Sequence, residues 1–329
     1  MTVLQLSARQ EVGRRDLESL RTKLGPLLYS RLDDPAVTDI MLNQDGTLHE
    51  DRLGAGMSMI GRMSEHDALA VINLVAATAH EIVNRHNPIF EGELPIRGAR
   101  FIAFVPPLVL KPSFSIRLPA TKVWTLDEYV GARIMTPRQA DVIDEAIERE
   151  WNILVSGGTK SGKTTLVNAV LQRLGQIYPR KRSCIIEEIV ELQCSQPNTL
   201  ALRTGPNVDH QDLLKRLMRT RPDVIVFGEV RDKAALQLVK AANTGHGSII
   251  STIHANSPRR APERMEDLCA EALPGVNLRR QIADALGIIV GITRVDPLDL
   301  REGEPERRIT EIVKVEGTAK DAYAFSKLA

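Results

Sequence analysis

Eight consecutive residues, Gly157-Gly158-Thr159-Lys160-Ser161-Gly162-Lys163-Thr164, can do chemistry on phosphate. A Gly, four free positions and Gly-Lys-Thr is the P-loop pattern. Its backbone N–H groups cradle phosphates, its Lys reaches the terminal phosphates, and its hydroxyl holds Mg²⁺. With Thr165, these residues are the expected ATP-binding set, with Lys163 as the catalytic cation and Thr164 as a Mg²⁺ ligand. Hydrolysis also needs a carboxylate that orients or deprotonates water. Glu229 follows the apolar run Val224-Ile225-Val226-Phe227-Gly228, the place from which an acid reaches the Mg²⁺ shell. Glu187, Glu188 and Glu191 form a second acidic cluster after Cys184-Ile185-Ile186, read as catalytic or metal-binding rather than as a charged turn. His246 and His254 stand at opposite ends of one expected strand, and two histidines without further ligands do not make a zinc site.

These side chains need a scaffold that brings strand ends together. Asn152-Ile153-Leu154-Val155 is short, apolar and β-branched, and reads as a buried strand entering the loop. After the loop, Leu166, Val167, Val170, Leu171 and Leu174 recur at helical spacing, so the loop joins a strand to a helix N-terminus, an anion-binding arrangement. Further strands are expected at Ser183–Ile186, Val224–Phe227, Ser248–Ile253, Ile288–Ile292 and Ile309–Val315. The first three end at Glu187-Glu188, Gly228-Glu229 and His254, and ligands of open α/β sheets bind at the carboxyl ends of strands. From about Met135 the alternation of strands and helices predicts an α/β fold with a mostly parallel sheet.

The first part reads as a smaller α+β module. Leu17, Leu20, Leu24, Leu27, Leu28 and Leu32 are expected on one helical face. Asp39–Asn43 and Thr47–Glu50 flank Gln44-Asp45-Gly46, a hairpin signal. Ser64 with Asp67 is a capping box opening a helix through about Val83, and strands are expected at Arg100–Val105 and Ser113–Leu118. The expected division is 1–120 as the N-terminal domain, 121–134 as a linker and 135–329 as the P-loop domain. The tail beyond Gly317 reads as a small helix or a disordered end.

A chain of 329 residues, 43% hydrophobic and 26% charged, has the composition of a soluble globular protein that folds without staples. A net charge of +1 gives no global field for nucleic acid. Lys215, Arg216, Arg219 and Arg221 surround Leu213, Leu214, Leu217 and Met218 as the solvated face of an amphipathic helix. Aromatic residues are 4% of the chain and none interleaves these charges, so no direct nucleic-acid binding is evident. Cys184, Cys194 and Cys269 lack zinc-site spacing and read as reduced thiols of a cytosolic protein. No apolar stretch is long enough to span a membrane, and Met1–Arg15 lacks a signal-peptide core. The expected location is the cytoplasm, with any membrane association peripheral or through a partner.

The ordered combination of several segments resembles the type II/IV secretion ATPases, and within them the TrbB-type conjugal-transfer ATPases. It runs through Asp34-Pro35 to Asn43, Gly92-Glu93-Leu94-Pro95, Gly98-Ala99-Arg100-Phe101, Pro106-Pro107 and Ser115-Ile116-Arg117. It continues through the P-loop, Ile185-Ile186-Glu187-Glu188 with Glu191, Arg221-Pro222-Asp223, Gly228-Glu229-Val230-Arg231 and His254-Ala255-Asn256-Ser257. The resemblance implies a RecA-like domain, an N-terminal domain that closes over the nucleotide, and a homo-oligomeric ring, usually hexameric. That ring would sit at the cytoplasmic base of a type IV secretion channel, beside its inner-membrane components. Carried onto these positions, Glu187 is the water-activating carboxylate, Glu229 the Walker B acid near Mg²⁺, and His246 and His254 the phosphate sensors. Arg100 and Arg117 reach the nucleotide from the N-terminal domain, and Arg231 and Arg264 serve ring coupling or the interface. Two positions depart from the family pattern: Lys160 stands where Gly is usual, and Glu188 where Asp is usual.

The function expected is an ATPase that drives pilus assembly or substrate transfer. A type II secretion or pilus-retraction motor is the near alternative, against which the absence of a four-cysteine zinc module counts. A DNA-translocating RecA-fold motor, marked by DNA-stimulated and salt-steep behaviour, and an assembly factor with little hydrolysis are the others.

Overall fold

A computed structural model describes residues 3–329 except Gly54, Thr121, Pro206, His246, Gly247, Pro297, Leu298, Glu302 and Asp321, with side chains from Leu17 onward. The chain divides into two compact units, Met1–Thr121 and Lys122–Ala329.

The first unit contains α1 (Val3–Leu32), β1 (Val37–Leu42), β2 (Thr47–Arg52), β3 (Gly56–Arg62), α2 (Glu65–Thr78), β4 (Ile89–Leu94), β5 (Ala99–Phe104) and β6 (Ser113–Arg117). Its six strands form one antiparallel sheet in the order β3-β2-β1-β6-β5-β4. The β1–β2 hairpin turns at Asp45-Gly46, where Gly46 takes a φ of 80° that a side chain would disfavour. Leu20, Leu24, Leu28 and Leu32 are buried along α1, whereas Leu17 and Leu27 are exposed. The helix is broken at Gly25, whose φ of 71° and ψ of 168° are not helical, so the core-facing leucines are one i, i+4 pair on each side of the break, Leu20/Leu24 and Leu28/Leu32. Ser64 caps α2 by accepting the Asp67 N–H, but the helix stops at Thr78 rather than Val83, because Ala79 and left-handed His80 (φ 60°) end it. Strands β3 and β4 carry no signal strong enough to have been singled out from the sequence.

The second unit contains α3 (Leu126–Gly131), α4 (Pro137–Glu148), β7 (Ile153–Ser156), α5 (Lys163–Ile177), β8 (Ser183–Glu187), β9 (Thr199–Arg203), α6 (His210–Leu217), β10 (Val224–Val230), α7 (Ala234–Ala242), β11 (Ile249–Ile253), α8 (Ala261–Ala272), α9 (Arg279–Ala285), β12 (Ile288–Arg294), β13 (Arg307–Ala319) and β14 (Ala322–Lys327). The strands lie in the order β14-β13-β12-β7-β11-β10-β8-β9. From β12 to β9 neighbours are parallel, and the β12-β13-β14 end is antiparallel.

Alternate residues of each central strand feed two cores. Ile153, Val155, Val224 and Val226 pack with α3, α4 and α5, while Leu154, Ile225 and Phe227 pack with α6 to α9. Burial on both faces explains why these strands read as continuous apolar runs.

Within the stretch expected as a linker, Thr125 caps α3 through a reciprocal capping box with Glu128, and Leu126 and Tyr129 enter the core. The expectation for the C-terminal tail is corrected. The tail beyond Gly317 is neither helix nor disordered end: it forms the outer strand β14, paired with β13 from Ala319↔Ala322 to Val313↔Lys327. An edge strand of this kind depends on its partner, which local periodicity cannot reveal.

Candidate nucleotide site

The site grows from the sheet order. β11 and β10 lie next to β7 on one side, so the ends of three strands that are far apart in sequence converge. Each end carries one of the residues singled out above.

The loop between β7 and α5 has the geometry its glycines allow. A Cβ on Gly157 would strike the carbonyl oxygen of Ile292 and crowd Ser161 Oγ, so the β12 backbone can approach only because position 157 lacks one. Gly162, the N-cap of α5, has a φ of 95°, again a glycine conformation. Lys160 also takes a positive φ, 60°, which is unfavourable for a residue with a side chain. Ser161 Oγ donates to Gly158 O at 2.9 Å and braces the turn.

Lys163 opens α5 and is buried. Its Nζ donates to Gly157 O at 3.1 Å and Gly158 O at 2.9 Å, and lies 3.3 Å from both ring nitrogens of His254. His254 follows β11, and its Nε2 is 3.2 Å from Oε1 of Glu229 on β10. Burial, then the Lys163 ammonium, hold the His254 imidazolium pKa below the usual 6.5, while Glu229 pulls it up; Arg231 and Arg264 add to the lowering. Lys163, Glu229 and His254 are thus gathered, and Arg264 stands within electrostatic reach. Ser251 and Thr252 hold β11 against β10 by donating to Phe227 O at 2.6 Å and Gly228 O at 2.7 Å.

The acidic cluster divides its labour. Glu187 ends β8, is buried, and its Oε2 accepts the backbone N–H groups of Glu191 at 2.8 Å and Leu192 at 2.9 Å. Burial raises its pKa above the usual carboxylate value, against the opposing effect of those two amides. Glu188 is ion-paired with Arg231, which follows β10. Gly228 brings the two strand ends close: a Cβ there would lie 3.3 Å from Cβ of Glu187.

Asn168 is a supporting residue that sequence reasoning missed. Buried on α5, it donates from Nδ2 to Glu191 O and accepts at Oδ1 from Gln193 N, both at 2.9 Å, and so ties the acidic loop to the P-loop helix. An amide set between Val167 and Ala169, five residues after the P-loop Lys, was the only available signal.

Arg100 and Arg117 belong to the first unit. They are register partners on β5 and β6 and point to the same face of that sheet, where Arg100 pairs with Glu91 at 2.8 Å. His246 lies outside the described residues. The oxygen donors Thr164 and Glu229 suit a hard cation such as Mg²⁺, which is commonly held by one or two protein oxygens together with substrate phosphates. Among the described residues no helix is long and apolar enough to cross a membrane.

The chain is 44% identical over 309 residues to a probable conjugal transfer protein TrbB of Sinorhizobium fredii, covering 94% of this chain and 92% of that one. It is 42% identical to the conjugal transfer protein TrbB of Rhizobium radiobacter, covering 94% and 93%. The ATPase DotB of Legionella pneumophila shares the fold with a TM-score of 0.63 at 19% identity, over 87% of this chain and 79% of that one. Residues 29–323 match the family described as type II/IV secretion system protein, and the chain belongs to that family.

Proposed function

We infer that this chain is the ATP-hydrolysing motor of a type IV secretion system of the conjugal-transfer kind. The observation that carries the chemistry is the convergence of Lys163, His254 and Glu229 at the carboxyl ends of neighbouring strands, around a loop shaped to cradle phosphates. Family membership and the conjugal-transfer relatives support the biological setting.

In this reading the loop Gly157–Thr165 holds ATP, and Thr164 and Glu229 hold Mg²⁺, whose role is to neutralise phosphate charge. Lys163 exchanges its hydrogen bonds to the loop carbonyls for phosphate oxygens. Glu187 is the base for water: its raised pKa makes it a better proton acceptor, and its two amide partners fix its orientation. His254 reports the state of the terminal phosphate through Lys163 and Glu229, with His246 as a second sensor. Arg231 and Arg264 couple neighbours in a hexameric ring, which works at the cytoplasmic face of the inner membrane with channel components as partners.

The test is twofold. The purified chain should release phosphate from ATP only with Mg²⁺, and its deletion should stop conjugal transfer in a way that wild type, but not Lys163→Ala, restores. Hydrolysis without effect on transfer would keep the chemistry and reject the setting; no hydrolysis in an assembled ring would reject the motor.

A further inference from the structure

We propose that Arg307 is a nucleotide-binding residue that brings its guanidinium from β13 to the P-loop shoulder at Gly162, where the carboxylate of Glu306 competes with the nucleotide for it. This rests on reading Gly157–Thr164 as the ATP site.

Arg294 closes β12 and Arg307 opens β13, where the two are register partners. Glu306, between them, accepts at Oε1 from Arg294 Nε at 2.8 Å and Nη2 at 2.6 Å, and its Oε2 lies 3.3 Å from Arg307 Nη1. Among the described residues, these contacts place one carboxylate between two guanidinium groups. Tyr129, whose buried phenol is close enough to feel the Arg307 charge, stays protonated because burial raises its pKa, and so supplies no anion.

The Arg307 side chain lies against the loop. A Cβ on Gly162 would be 3.2 Å from Cδ of Arg307 and 3.5 Å from its Nε. Gly162 caps a helix N-terminus, which carries partial positive charge and favours acids. Lys160 and Lys163 flank it in sequence. A third cation is unfavourable there for the protein alone, and becomes favourable when a polyanion lies on the loop. The planar guanidinium fork matches phosphate oxygens.

The sheet order says which phosphates. β12 and β13 stand on one side of β7, and β11 and β10 on the other. His254 and Glu229 come from the second side and meet Lys163, which serves the terminal phosphates. Arg307 comes from the first side and meets Gly162, part of the backbone cradle for the α- and β-phosphates. Arg307 therefore addresses the part that ATP and ADP share.

Calorimetric titration of the full chain with ADP and with a non-hydrolysed ATP analogue tests this. Arg307→Gln should weaken both by the same factor, about tenfold, as expected for a lost charged hydrogen bond. Glu306→Gln removes the competing carboxylate and should tighten ADP by about threefold, a gain that disappears when Arg307→Gln is added. ADP affinity within about twofold of wild type in Arg307→Gln, or a Glu306→Gln variant that does not tighten, would overturn the proposal. Wild-type protein that binds neither nucleotide would overturn the nucleotide-site reading as well, whereas normal wild-type binding with unaffected variants rejects only the role of Arg307.

Discussion

Lys163 and His254 are 91 residues apart in sequence, yet the Lys163 ammonium lies 3.3 Å from both nitrogens of the imidazole ring. The parallel pairing of β7 with β11 creates this contact, since the loop after one strand and the residue after the other emerge side by side. Glu229, 3.2 Å beyond on β10, extends the contact into a row of cation, ring and acid. In the function proposed above, a phosphate oxygen that drew Lys163 away would disturb the whole row.

Lys163→Ala should reduce ATP hydrolysis to background, because its ammonium neutralises charge that grows in the transition state. Phosphate release measured beside wild type checks this, and near-normal turnover in the variant would reject the site.

Two substitutions at Glu187 separate its chemistry from its structural contacts. Glu187→Gln keeps an acceptor for the Glu191 and Leu192 amides, so ATP affinity should hold while the turnover number falls by roughly 10² or more. Glu187→Ala leaves those two N–H groups without their acceptor and should lower unfolding free energy by about 1–3 kcal/mol, read by denaturant titration. If Glu187→Gln turns over normally and only Glu229→Gln fails, the base is Glu229.

Lys160 carries a left-handed φ of 60° in a turn where glycine is at ease. Lys160→Gly should therefore relieve about 1 kcal/mol of backbone strain, raise the melting temperature and tighten ATP binding. Weaker ATP binding in the variant would show that the lysine charge outweighs the strain.

Acid should weaken the fold through its histidines. Burial is the leading cause that sets the folded-state values of His210 and His254 below 6.5, so the unfolded chain binds more protons than the folded one beneath that pH. Their contribution is intact above 6.5 and is lost as pH falls through 6.5 toward the folded values. Glu187 acts in the opposite sense, because its raised value favours the folded state at low pH and that advantage is lost as pH rises through it. Melting temperatures between about pH 8 and 6 should fall on acidification in wild type and fall less in His210→Gln/His254→Gln. An equal fall in both proteins would rule out the two histidines as its source.

Gly157→Ala should damage the loop more than an ordinary glycine substitution, since the added methyl meets the backbone carbonyl of Ile292 rather than a flexible side chain. The expected result is a lower melting temperature together with loss of ATP binding. Unchanged ATP affinity would show that the β12 backbone can move aside.

By itself, the sequence determined what is contiguous. The strand–loop–helix unit from Ile153 to Ile177 was legible because its burial pattern, glycines and helical spacing are all local. Glu187, Glu229 and His254 were legible as polar residues ending apolar runs for the same reason. Strand order was not, because pairing energy depends on partners distant in the chain; only the tertiary fold set β11 and β10 beside β7, and so brought His254 to Lys163. The fold also turned Glu187 back onto two backbone amides, placed Asn168 behind the acidic loop, and made the final residues a strand by supplying β13 as their partner. Residue type limits which chemistry is available, but a carboxylate's environment and a strand's edge come from packing, and packing is a property of the whole sheet.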